Sequence, residues 1–229
     1  MCWVVAVSLC IALLAFLVYA SACISSGVYL KALCKGDPWR NSIALTFDDG
    51  PDEDMTPKVL DVLKKYGVQA VFFVVGSKAE KHPEIMKRIR SEGHLIGSHT
   101  FSHSPFFPMR GRKYVSAELD MADEAVFRHT GSRIRLFRPP FGVTNPVIGR
   151  EVRRRGYITL GWSIRSLDTL TGKSREEVAD RVAARLHHGA VILLHDRLPD
   201  ADMLLEMIIN EALAKNVLLE RADRLLEID

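Results

Sequence analysis

An α/β fold built on a parallel sheet is predicted for this 229-residue chain by three observations. Short apolar runs alternate with helix signals from Ser42 onward, the chemically versatile polar residues sit at the ends of those runs, and a 48% hydrophobic share is enough to bury a core. Length allows one large domain plus a small extra segment.

The extra segment comes first. Met1 to Leu30 holds no charged residue, and Trp3 to Ile24 is long enough for a hydrocarbon core, which needs about 20 apolar residues. The expectation is a membrane anchor over 1–34, a linker over 35–41 and a folded domain over 42–229. A cleaved signal peptide competes, because Ala20-Ser21-Ala22 has the small-x-small form; the length of the apolar stretch and the missing basic n-region argue against it. Lys31, Lys35 and Arg40 follow the span with nothing basic before it, which on charge alone favours a cytoplasmic domain.

Beyond residue 34 the chain carries 30 basic and 28 acidic residues, a formal net of +2, so no nucleic-acid surface is indicated. Arg110-Gly111-Arg112-Lys113 and Arg153-Arg154-Arg155 read as solvated faces. All four cysteines, Cys2, Cys10, Cys23 and Cys34, lie in the first 34 residues, which excludes thiolate chemistry and Cys-rich zinc sites from the folded domain.

Strands are expected at Ile43–Phe47, Ala70–Val75, His94–Ser98, Ile134–Phe137, Tyr157–Ser163 and Val191–His195, each short and rich in Ile, Val, Leu and Phe as two-sided burial requires. Helices fit between them. Thr56-Pro57 offers an N-cap and N1 proline with Gly67 as the stop; Pro83 to Gly93 and Asn145-Pro146 to Gly156 repeat the arrangement. Ser174 with Glu177 forms a capping box for a helix ending near Gly189. Such βα alternation brings the C-terminal ends of the strands to one mouth, where Asp48, Asp49, His99, Arg138 and His195 would share a cleft.

Asp48 and Asp49 are adjacent on a strand end and cannot point the same way along extended backbone, so one could hold a metal while the other stays free as a base. Asp-Asp-Gly-Pro is equally good turn chemistry. His99 and His103 are spaced i, i+4, which on a helical turn puts both imidazoles on one side. One Asp and two His suit zinc or another divalent first-row metal. His82, His94, His129, His187 and His188 read as structural or surface residues.

These strings carry a resemblance. Thr46-Phe47-Asp48-Asp49-Gly50-Pro51, Ser98-His99-Thr100-Phe101-Ser102-His103, Arg138-Pro139-Pro140-Phe141-Gly142 and Leu193-Leu194-His195-Asp196 look like the first, second, third and fifth motifs of the polysaccharide deacetylases, the NodB homology family or carbohydrate esterase family 4. The resemblance runs from about Ser42 onward, over roughly four fifths of the chain. It implies a distorted parallel (β/α) barrel and metal-dependent hydrolysis of N-acetyl groups on amino sugars. By matching position, Asp49, His99 and His103 are implied as metal ligands, Asp48 as general base, His195 as general acid and Arg138 as the residue orienting Asp48. Asp168 is implied as the partner of the acid histidine, although Thr169 stands where the family usually has Trp and Arg165 where it is often acidic. A backbone N–H near Phe141 is implied as an oxyanion donor, and Trp162 and Leu193 as the acetyl pocket.

The implied chemistry is physically coherent. A divalent metal lowers the pKa of its water from about 15.7 towards about 7 and polarises the amide carbonyl; Asp48 takes a proton, and His195 protonates the departing amine. Phe101, Phe106 and Phe107 are further candidates for stacking on sugar faces. The expected partners are a glycan of the cell wall or envelope and the membrane, with Zn2+ as the expected cofactor and no protein partner inferred. Placement outside the cytoplasmic membrane follows from where such polymers occur. A lipid-linked sugar or small amide as substrate, a non-catalytic glycan-binding protein, and a non-haem iron oxygenase are the alternatives; the last is disfavoured by βα alternation and His-x-x-x-His spacing.

Overall fold

The computed structural model describes residues 2–228; Met1 and Asp229, the outer ends of the predicted anchor and folded domain, lie outside the described residues. The strands are β1 (Ala32–Leu33), β2 (Ser42–Asp48), β3 (Val71–Val74), β4 (Leu95–Ser98), β5 (Leu136–Phe137), β6 (Ile158–Leu160), β7 (Ile164–Arg165), β8 (Val191–His195) and β9 (Leu218–Leu219). The helices are α1 (Cys2–Ala22), α2 (Met55–Tyr66), α3 (Gly76–Lys81), α4 (Pro83–Ser91), α5 (Arg112–Thr130), α6 (Pro146–Arg154), α7 (Arg175–Ala183), α8 (Ala201–Ala214) and α9 (Ala222–Leu225).

All strand pairs in the sheet are parallel, in the order β1-β6-β5-β4-β3-β2-β8-β7, with β9 beside β2. The sheet curls without closing: among the described residues its two end strands, β1 and β7, are not paired. This is the distorted barrel the resemblance implies.

The period of two along each strand decides what faces where. In β2, Ile43, Leu45 and Phe47 point outward into the main core with Val59, Leu60 and Leu63 of α2 and Leu205, Ile208 and Ile209 of α8. Ala44 points into the barrel with Val71, Phe73, Val191, Leu136 and Leu160, where Ala222 and Leu225 of α9 plug the floor. Thr46 and Asp48 follow Ala44 on the inward face. In β8 the same alternation sends Ile192 and Leu194 outward and Val191 inward, with Leu193 and His195 on the inward face. Asp48 and His195 are registered partners across β2 and β8, so sheet pairing alone brings base and acid candidates together.

Several local expectations need correcting. Thr56 is not an N-cap: α2 begins at Met55, and the Thr56 hydroxyl accepts from the Asp52 N–H at 2.7 Å and donates to Oδ2 of Asp196 at 2.6 Å. The Ser174–Glu177 capping box is present, but α7 stops at Ala183, short of Gly189. Phe107 cannot stack on a sugar, being fully buried with Val115, Leu119 and Ile148. The basic clusters are solvated as expected apart from Arg155, and they also hold an acid: Arg112, Arg154 and Arg155 converge on the buried Glu151 at 2.7–3.0 Å. Burial would raise the Glu151 carboxyl, but hydrogen bonds from Arg155, Arg112 and Arg154 hold it at about 2.

Candidate active site

Asp48, the last residue of β2, is buried, and its position depends on Arg138, which follows β5. The Arg138 side chain is fully buried; Nη1 donates to Oδ1 of Asp48 at 2.7 Å and to the Thr46 hydroxyl at 2.8 Å, while Nε and Nη2 donate to the carbonyls of Leu160 and Gly161. The guanidinium also lies over the Phe73 ring, 4.2 Å from its centroid. Four hydrogen bonds in a rigid fork leave the Asp48 carboxylate one orientation.

The backbone turns left-handed at Asp49 (φ 72°), which breaks the strand's alternation. Both carboxylates therefore reach the same imidazole: Nε2 of His99 is 3.8 Å from Oδ2 of Asp48 and 3.5 Å from Oδ1 of Asp49. The expectation that adjacent acids must diverge holds for extended backbone and fails at this positive φ. Gly50 is fixed by its neighbour, since a Cβ there would stand 2.3 Å from Oδ2 of Asp196. Burial pushes the Asp196 carboxyl up to about 7.

His99 and His103 do not share a helical turn. They flank a loop after β4 in which Thr100 (φ 67°) and His103 (φ 51°) are left-handed. The buried Glu118 of α5 holds that loop, accepting from the N–H groups of Phe101 and Ser102 and from the Ser102 hydroxyl. Nε2 of His103 then stands 3.2 Å from Oδ1 of Asp49. Nδ1 of His99 donates to the Arg138 carbonyl at 2.8 Å, which leaves Nε2 free to ligate.

One ligand atom from each of Asp49, His99 and His103 lies within 4.8 Å of the others. Donors each about 2.1 Å from a tetrahedral zinc stand about 3.4 Å apart, so the donor types and the two Asp49–His separations fit a divalent cation. Burial first, then His99, lowers the His103 pKa to about 4, so its ring is neutral and able to ligate near pH 7. Burial would raise Asp49, but His99, His103 and His195 with the Arg197 hydrogen bond lower it, favouring the carboxylate.

His195 ends β8. Its Nδ1 is 2.8 Å from Oδ1 of Asp168 and its backbone N–H donates to Oδ2 at 2.9 Å, so one carboxylate fixes both ring and backbone. Nε2 is left 4.0 Å from Oδ2 of Asp49. Burial opposes a charged ring, but Asp168, then Asp48 and Asp49, outweigh it and raise the His195 pKa. The departures at Thr169 and Arg165 leave this pair intact.

The cleft has a volume of about 530 Å³, within the usual range for small-molecule sites. Phe141, Trp162 and Leu193 form its apolar part beside Asp48, Asp49, His99, His103 and His195. Phe141 is left-handed (φ 60°) and its ring stacks edgewise on His103 at 4.9 Å. Phe106 is exposed, and neither it nor Phe101 lines the cleft. The histidines set aside by sequence all lie away from it; buried His94 accepts from the Ala70 N–H.

Three positioning residues were not identified from sequence. Arg197 donates to Oδ2 of Asp49 at 2.9 Å, Lys78 donates to the Asp49 carbonyl at 2.7 Å, and Glu118 pins the histidine loop. Only Arg197, the residue directly after the fifth motif, had a local cue.

The sequence pattern described as Polysaccharide deacetylase matches residues 35–160, more than half of the chain. A peptidoglycan-N-acetylmuramic acid deacetylase, PdaA of Bacillus subtilis (strain 168), is 39% identical over 163 residues, covering 70% of this chain and 62% of that protein. A peptidoglycan-N-acetylglucosamine deacetylase of Bacillus cereus is 36% identical over 170 residues, covering 74% and 58%. The chain thus spans less than two thirds of the length of either relative. Among solved structures, the Bc1960 peptidoglycan N-acetylglucosamine deacetylase superposes with a TM-score of 0.81 at 31% identity, covering 86% of this chain and 92% of that one.

Proposed function

This chain belongs to the polysaccharide deacetylase family, and we propose that it is a metal-dependent hydrolase removing N-acetyl groups from an N-acetylhexosamine glycan of the cell envelope. The observation that carries this reading is the division of labour in one cleft: Asp49 stands 3.5 Å from His99 and 3.2 Å from His103, while Asp48 reaches only His99, at 3.8 Å, and gives its other oxygen to Arg138.

Asp49, His99 and His103 would hold the cation, which would activate a water and polarise the amide carbonyl. Zn2+ matches the donor set of one carboxylate and two imidazoles. Asp48 takes the proton from the attacking water, its orientation set by Arg138. The Phe141 backbone N–H donates to the oxyanion, an effect worth roughly 3 kcal/mol per well-placed donor. His195, kept protonated by Asp168, gives its proton to the departing amine nitrogen, because an amide anion does not leave near pH 7. Trp162 and Leu193 shelter the acetyl methyl from water.

In this reading residues 1–34 carry the membrane attachment, 35–41 connect, and 42–229 hold the catalytic machinery, with β1 of the first segment shared by the sheet. The catalytic domain sits outside the cytoplasmic membrane, where envelope glycans are. Acetate release from N-acetylglucosamine oligomers, with and without chelator, tests the activity. Chelator-sensitive release is expected; a cation-loaded protein inactive on oligomers, wall polymer and lipid-linked sugar alike would contradict it.

A further inference from the structure

Resting on the deacetylase reading, we propose that the cleft works at a bilayer surface, on an N-acetylated sugar itself held in the membrane by a lipid. Helix α1 has 21 residues and at 1.5 Å per residue is about 31 Å long, the thickness of a hydrocarbon core. From Trp3 to Tyr19 its side chains are exposed, uncharged and mostly apolar, a surface that water does not favour.

That exposure ends abruptly at Ala20, which is fully buried. The Ala20 carbonyl accepts from the Ser26 hydroxyl at 3.1 Å and the Thr144 hydroxyl at 3.3 Å, and the Ser21 carbonyl accepts from the Thr144 N–H at 2.9 Å. Past the helix the chain turns through Ile24–Ser26 and Gly27 (φ 69°) and enters the sheet as β1. Ile24 and Cys34 close on Gly161, where a Cβ would stand 3.2 and 2.5 Å from them. No flexible stalk separates span from domain. Cleavage after Ala22 would remove the Ser21 acceptor of the Thr144 N–H; in this proposal the helix is retained.

The docking points are also the cleft wall. Thr144 lies three residues past Phe141, and Gly161 adjoins Trp162; both aromatics line the cleft. Three residues reach at most about 10 Å, so Phe141 lies within about that distance of the point where α1 meets the domain. The polar layer of one leaflet is about 6 Å thick, so this cleft wall stands at the headgroups or within a few ångströms beyond them. A cleft fixed there reaches a sugar on a membrane lipid and is held back from polymer lying farther out.

A second observation agrees. Asn145 donates to the Pro108 carbonyl at 2.6 Å, tying the 107–109 turn to the residue after Thr144. On this flank Phe106, Met109 and Phe141 are exposed, with Arg110 and Lys113 close by in sequence. Exposed apolar tips beside basic residues suit the interface of an anionic bilayer.

The test places the full, cation-loaded chain in phosphatidylglycerol vesicles and compares two probes, N,N′-diacetylchitobiose on a dialkylglycerol in the same bilayer and soluble N-acetylglucosamine oligomers. The bilayer probe is expected to turn over at least about ten-fold faster at equal bulk concentration. A flexible Gly/Ser insert of about 15 residues between Tyr19 and Ala20, spanning about 21 Å, keeps the Thr144 contacts while freeing the domain; it is expected to lose that advantage and keep the oligomer rate. Met109→Glu is expected to slow the bilayer probe about three-fold or more without touching the oligomer rate. Equal glycolipid rates with and without the insert, or faster turnover of oligomers than of glycolipid by the unaltered chain, would overturn the proposal. Inactivity on both probes would instead count against the deacetylase reading on which it rests.

Discussion

Arg138, with no exposed surface, donates to Oδ1 of Asp48 at 2.7 Å, and its carbonyl accepts from Nδ1 of His99 at 2.8 Å. One residue thus orients both the proposed base and a proposed ligand. It ties two functions to the end of a single strand.

Arg138→Met keeps the carbonyl that holds His99 and is therefore expected to fail at Asp48. It leaves the buried Asp48 carboxylate without its cation, a loss of about 3–5 kcal/mol in stability. Arg138→Lys keeps charge but not the fork, and is expected to fold while losing kcat more than KM. Urea melts of both variants with steady-state kinetics of Arg138→Lys check this; a Lys variant with native kcat would remove Arg138 from its positioning role.

His195 supplies a pH prediction. A general acid must be protonated, and Asp168 raises its pKa against burial, so activity is expected to persist to that pKa and fall as pH rises through it. In Asp168→Asn burial dominates and the pKa drops. The alkaline limb of the pH–rate profile is expected to move down by about one unit or more. An unmoved limb would mean that another group donates the proton.

Glu151 supplies a stability prediction. Its folded pKa of about 2 lies below the ordinary carboxylate value, so its contribution is present above about pH 4.5 and is lost as pH falls through 2. Glu151→Gln is expected to cost on the order of 2 kcal/mol near pH 7, discounted because Arg112 and Arg154 are more than half exposed. Thermal melts of the two proteins should converge on acidification; a gap that widened would show the arginine cluster to be indifferent to this charge.

The elements that were legible carried strong local codes. Val191–His195 is apolar, bounded and buried on both faces, and the Ser174–Glu177 box marks a helix start by side-chain chemistry alone. Helix α5 was not legible: its first turn carries Arg112 and Lys113 where acids are favoured, and no cap side chain announces it. Missing α5 hid Glu118, and with it the reason His99 and His103 converge. Their spacing suggested a helical turn, whereas left-handed Thr100 and His103, with Phe101 and Ser102 between them pinned from α5, do the work. Arg197 to Asp49 spans 148 positions, a contact no spacing rule anticipates.

The division of roles between Asp48 and its neighbours is tested most directly by measuring bound metal and acetate release from N-acetylglucosamine oligomers for Asp48→Asn and His99→Ala side by side. Asp48→Asn is expected to keep its cation and lose about 10²–10⁴-fold in turnover, while His99→Ala loses cation and turnover together. A metal-free Asp48→Asn, or a His99→Ala that binds metal and turns over normally, would contradict the account.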